Sequence, residues 1–191
     1  MLLAVACGRP LDAVPGAPPE GATATMQWSY ATYLLSNGDP AQARGYLERL
    51  DERTERDVSD PALLWRDIAE ARLFTGDAPG TLTATARARQ ELAAEPNTAQ
   101  FKADDRYLFA RTIDALEAAA STEPDKLLSI ATDEREAPSA DAWYLLGWLH
   151  EQRGELEASR APYRSYLERA PQWSFLRQAF EMRRHAQLVV R

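Results

Sequence analysis

Between Ala140 and Pro171 the residues are spaced as two helices folded against each other. Trp143, Leu146, Gly147 and His150 stand at i, i+3, i+4 and i+7, one face of a helix. Glycine inside a helix costs about 1 kcal/mol against alanine. It is tolerated where a second backbone must come close, and the following helix would bring Leu156, Ser159, Tyr163 and Tyr166 to that face. Ser139 reads as the N-cap of the first helix, Gly154 as its left-handed cap, and Pro171 as the stop of the second. Pro162 breaks a local rule. Inside a helix proline removes an i to i−4 hydrogen bond at about 3 kcal/mol, so a kink is expected there, or a restart at Ala161–Pro162.

The same helix–turn–helix pattern recurs upstream. A first pair starts near Ala24 with Trp28, Tyr30, Ala31 and Leu34, closes at Asn37–Gly38, and resumes at Asp39–Pro40 with the stripe Ala43, Leu47, Leu50. A second opens on Asp60 as N-cap and Pro61 at the first helical position, with Trp65, Ile68, Ala69 and Arg72 on the face. Gly76 closes that helix, and an Ala/Thr-rich partner follows over about 78–94. The third pair is degenerate. Phe109, Ala110, Ile113 and Leu116 give its face, no glycine closes it, and Ser121–Pro124 makes the turn into a short helix ending near Thr132. Ala31, Ala69, Ala110 and Gly147 mark the close-approach position at steps of 38, 41 and 37 residues. A last helix over Trp173 to about Val190 carries Phe175, Leu176, Phe180, Met182 and Leu188.

Trp143-x2-Leu146-Gly147-x2-His150, then Ser159-x3-Tyr163, then Pro171 resembles the tetratricopeptide repeat (TPR), with His150, Ser159 and Tyr163 where that pattern has an aromatic, alanine and phenylalanine. The resemblance implies an all-α fold over 24–191: a TPR-like α-solenoid of about four helix pairs with a C-terminal capping helix. It also implies a concave groove lined by set first-helix positions. Carried onto this chain these are Trp28, Thr32 and Leu35; Arg66, Glu70, Leu73 and Phe74; Tyr107, Arg111 and Asp114; Asp141, Tyr144, Trp148 and Glu151. Aromatic and arginine anchors are what protein interfaces enrich. The Lys/Arg cluster by which carboxylate-clamp TPR domains hold peptide C-termini is absent; only Arg66 and Arg111 fall in the groove set.

The N-terminus, Met1-Leu-Leu-Ala-Val-Ala-Cys7-Gly8, resembles the end of a bacterial lipoprotein signal, in which the cysteine is acylated. Leu3 stands four residues before Cys7 rather than three, no basic region precedes the apolar run, and the run is short for a secretory signal, so Met1 is expected to lie inside a longer one. The segment 8–23 holds Pro10, Pro15, Pro18 and Pro19 and reads as an extended tether. With Gly8 after the cysteine, the resemblance implies an outer-membrane lipoprotein facing the periplasm.

The formal net charge of −7, with basic residues dispersed among acids, argues against a nucleic-acid partner. A single cysteine leaves no disulfide and no thiolate metal cluster. No apolar run approaches the roughly 18 residues of a membrane span. His150-Glu151 starts like H-E-x-x-H, but Gly154 stands where the second histidine belongs, and His185 has no partner at helical spacing. Asp104–Asp105 and Asp133–Glu134 are adjacent carboxylates, which do not face each other on a helix. No catalytic, metal, cofactor or small-molecule site is expected. The expected function is a non-enzymatic scaffold, anchored through Cys7, that holds another protein in a cell-envelope assembly of the pilus, secretion, gliding or outer-membrane type. The alternatives are a soluble TPR adaptor without lipid and a helical regulatory domain of an enzyme.

Overall fold

The computed structural model describes residues 16–19, 21–51, 58, 60–94, 103–133, 140–169 and 176–191. Cys7, the tether up to residue 15, Glu134, Ser139, Pro171, Trp173 and Phe175 lie outside the described residues. Among the described residues the fold is all-helical: α1 (Ala24–Ser36), α2 (Pro40–Asp51), α3 (Pro61–Phe74), α4 (Ala78–Ala94), α5 (Ala103–Ala120), α6 (Pro124–Ala131), α7 (Ala140–Gln152), α8 (Leu156–Arg169) and α9 (Ala179–Val190).

Consecutive helices pack as hairpins, α1 on α2, α3 on α4, α5 on α6 and α7 on α8, and each hairpin packs on the next. The first helices also touch in series, α1 with α3, α3 with α5, α5 with α7. The starts follow capping chemistry. The Asp60 carboxylate accepts the Leu63 N–H at 2.9 Å ahead of Pro61, and Asp39 accepts the Gln42 N–H at 3.0 Å ahead of α2.

All four intra-hairpin turns are the same turn. Gly38, Gly76 and Gly154 take φ of 75°, 80° and 76°, and the residue after each donates its N–H back to the carbonyl five residues earlier: Asp39 to Leu34, Asp77 to Arg72, Glu155 to His150. This is the Schellman arrangement, which satisfies orphan carbonyls at a helix end. The third hairpin makes it without glycine. Thr122 sits at φ 57°, and Glu123 donates to Ala118.

That turn corrects the register of the third pair. In the other pairs the close-approach residue stands seven positions before the left-handed one, at Ala31, Ala69 and Gly147, and the same offset from Thr122 gives Ala115. Ala115 is fully buried, whereas Ala110, the expected residue, is only half-buried. Phe109, Ile113 and Leu116 are buried as expected.

One further expectation changes, and of the two readings of Pro162 the restart is excluded. Residues 176–178 form a bend and turn, so α9 starts at Ala179 and not at Trp173. The cause lies in α3, whose Glu70 carboxylate takes the N–H groups of Arg177 and Gln178 and holds them out of helical pairing. α8 runs as one helix through the buried Pro162, without a restart at Ala161–Pro162. Behind Gly147 the second helix does supply Ser159, Tyr163 and Tyr166 to the core, but Leu156, at its first position, is 57% exposed.

Candidate functional site

α9 packs on α8 at the end of the row and touches α1 at its start; residues 177–178, just before it, meet α3, and its His185 meets α7. Trp28, Arg66 and Tyr144 hold equivalent places, each three residues before the close-approach residue. Trp28 and Arg66 meet at Asp67, which Arg177 of the C-terminal segment also reaches, and Tyr144 lies apart from them against His185 of the same segment.

The first half of this contact is ionic. Asp67 is fully buried; its carboxylate accepts the Trp28 indole N–H at 2.9 Å and faces the guanidinium groups of Arg66 and, at 3.2 Å, Arg177. Burial works to raise the pKa of Asp67, but the Arg66 and Arg177 charges and the Trp28 hydrogen bond outweigh it, and the net shift is downward. Glu70, equally buried, accepts the backbone N–H of Arg177 at 2.9 Å and of Gln178 at 3.0 Å. Burial dominates there, assisted by the neighbouring Asp67 and opposed by Arg66, and the Glu70 carboxyl is pushed up to about 7.

The second half is aromatic. Tyr144 is buried against Tyr163, Tyr166 and His185, with ring centroids 5.3, 5.4 and 6.3 Å away. Glu151 accepts the Tyr163 hydroxyl at 2.7 Å and lies 2.8 Å from His185 Nε2, which ties α7, α8 and α9 together. Burial, followed by hydrogen bonding to Glu151, raises the pKa of the Tyr163 hydroxyl, so it stays a donor. Phe74 and Trp148 are only half-buried, and with Tyr144, Glu151, Glu181 and Met182 they line an open cleft of about 290 Å³. Trp28 and Thr32 line a second cleft beside Arg177.

The remaining expected residues lie elsewhere. Asp141 is fully buried in the first turn of α7, and Leu35 and Leu73 are core. Arg111 pairs with Asp133 at 3.2 Å and its guanidinium lies 5.9 Å from the Tyr107 ring, while Asp114 and Glu117 bind Arg89 of α4. These residues therefore face α4 and α6, the result of carrying the groove positions over in the wrong register. In the corrected register Thr112, Leu116 and Ala119 take their places, all of them buried. His150 reaches Glu155 at 2.6 Å across the turn.

Asp67, Arg177, Glu181 and His185 were not legible as site residues. The signal for Asp67 was available in α3, whose apolar residues at 63, 64, 65, 68, 69 and 73 leave almost no solvent face. A charge on such a helix must find a buried partner. The three in the last segment had no signal, because nothing in their spacing says that α9 returns to α3 and α1.

Comparison with family models, with curated proteins and with solved structures gives no match.

Proposed function

We propose that this chain is a membrane-tethered, non-enzymatic TPR-like scaffold that holds another protein in a bacterial cell-envelope assembly. In this reading Cys7 carries the lipid, the Pro/Gly-rich segment after it supplies reach, and the helix pairs form a short α-solenoid facing the periplasm from the outer membrane. Two or more acyl chains anchor stably where one is marginal. The observation that carries the reading is the fourfold repetition of one turn, at Gly38, Gly76, Thr122 and Gly154, each inside a helix pair, with the first helices of the pairs abutting in series. Such repetition is the geometry by which solenoids present an extended inner surface to a partner. The half-buried Phe74 and Trp148 are the aromatic anchors that this surface offers.

The test has two arms. Cys7→Ser in the full-length protein, expressed in its own host, is expected to move it from the membrane to the soluble fraction; unchanged fractionation rejects the anchor. Trp148→Ala is expected to lose a co-purifying envelope protein while helicity by circular dichroism stays unchanged; retention of every partner rejects the groove.

A further inference from the structure

The cleft between α3, α7 and α9 is built like a cage for a positive charge. Phe74 and Trp148 stand edge to face, with centroids 5.6 Å apart and planes at 72°. Tyr144, largely buried against Tyr163 and Tyr166, reaches the cleft beside Phe74, 6.4 Å away at 55°. Aromatic walls set at steep angles around one space are how proteins hold ammonium and guanidinium groups, through the negative faces of the rings. Met182 adds a polarizable wall, and Glu151 and Glu181 place two carboxylates on the same cleft.

Of the two carboxylates, Glu151 is engaged by the Tyr163 hydroxyl and by His185, which also lines the cleft, and Glu181 is the one left open. Arg184 meets Glu181 only at 3.5 Å from a side chain that is 69% exposed. A solvent-exposed pair of that kind contributes little and exchanges readily. The cleft of about 290 Å³ has room for one small organic cation, and the net charge of −7 draws cations toward the surface as a whole.

We infer that this cleft binds an organic cation, a guanidinium or alkylammonium group, between Phe74, Tyr144 and Trp148 with Glu181 as counter-charge. The site does not depend on the anchor at Cys7. Its form as a pocket for an arginine or lysine side chain of a polypeptide rests on the groove being the protein-binding surface proposed above; its form as a small-molecule site does not.

The full chain is titrated calorimetrically with N-acetyl-arginine amide, the capped tripeptide Ala-Arg-Ala, tetramethylammonium chloride and N-acetyl-citrulline amide, the neutral isostere of the first. Saturable binding of at least one cation is expected, with citrulline about tenfold weaker than arginine or worse. Tighter binding of the tripeptide than of the single residue identifies a polypeptide source, and tightest binding of tetramethylammonium a free quaternary ammonium; both support the cage. Trp148→Leu is expected to weaken binding about tenfold and Glu181→Gln about fivefold. Glu181→Gln keeps the shape of a half-exposed side chain, so it decides the question should the tryptophan variant misfold. The inference is overturned by any of three results: no saturation by any cation up to about 10 mM, equal binding of citrulline, or full affinity in Glu181→Gln.

Discussion

The Tyr163 ring lies so close over Gly147 that a Cβ on residue 147 would meet its Cδ1 and Cε1 at 2.8 Å. Tyr163 is fully buried and donates to Glu151, so the ring has nowhere to go. Gly147→Ala is therefore expected to destabilise the fold by about 1–3 kcal/mol, overpacking outweighing the roughly 1 kcal/mol gained in helix propensity. Gly45→Ala is the matched control. Gly45 is exposed in α2 with nothing within 4 Å of a Cβ, and the change is expected to stabilise by about 0.5–1 kcal/mol. Urea unfolding of both variants measures the two signs.

Thr122 holds a left-handed conformation at φ 57°, where a β-branched residue is strained by about 1–2 kcal/mol. Thr122→Gly is expected to relieve that strain and raise the melting temperature, the net gain falling to about 1 kcal/mol because glycine also enlarges the unfolded ensemble. A lower melting temperature would mean that this turn differs in kind from those at Gly38, Gly76 and Gly154.

Asp67 balances Arg66 and Arg177 in a fully buried position. Removing one partner of a buried ion pair leaves the other charge uncompensated, so Asp67→Ala is expected to cost about 3–5 kcal/mol. Trp28→Phe, which removes one hydrogen bond to the same carboxylate, is expected to cost about 1.5–3 kcal/mol. Thermal or urea unfolding ranks the two.

Glu70 gives stability a pH dependence of opposite sign to that of most carboxylates. Its folded pKa is about 7 against 4.5 unperturbed, so between those values the folded state holds a proton that the unfolded state has lost. Stability is expected to fall as pH rises from about 4.5 to 7, by up to roughly 3 kcal/mol at 1.36 kcal/mol per pH unit. The Asp67 contribution runs the other way and is lost only in acid, below about 3.8. Unfolding measured across pH 4–8 reads the slope, and Glu70→Gln is expected to flatten it. Because glutamine keeps only one acceptor oxygen where Glu70 uses one for each N–H, and its NH2 donates, that variant is also expected to speed hydrogen exchange at residues 177 and 178.

Helix pairing, caps and turns were legible because they rest on local chemistry. Pro61 after Asp60, the stripe Ala43–Leu47–Leu50 and the glycines at 38, 76 and 154 each state their own conformation. The third pair was misread by five residues because Thr122 does the work of a glycine and carries none of its signal. The candidate site was legible on α3 and α7, where position within a repeat sets the inward face, and illegible on α9. The seat of α9 depends on Glu70 accepting two N–H groups from residues more than a hundred positions away, a long-range match that no periodicity records.

The return of α9 to α1 alters what kind of object the chain is. An open row of helix pairs unravels from its ends, and pairs can be added or deleted with little effect on those left. Here α1 and α9, the first and last of the described helices, touch each other, so unfolding that starts in either must also break that contact. Loss should be all-or-none, and inserting or excising one pair would break the clasp between first and last helices rather than merely lengthen or shorten a rod.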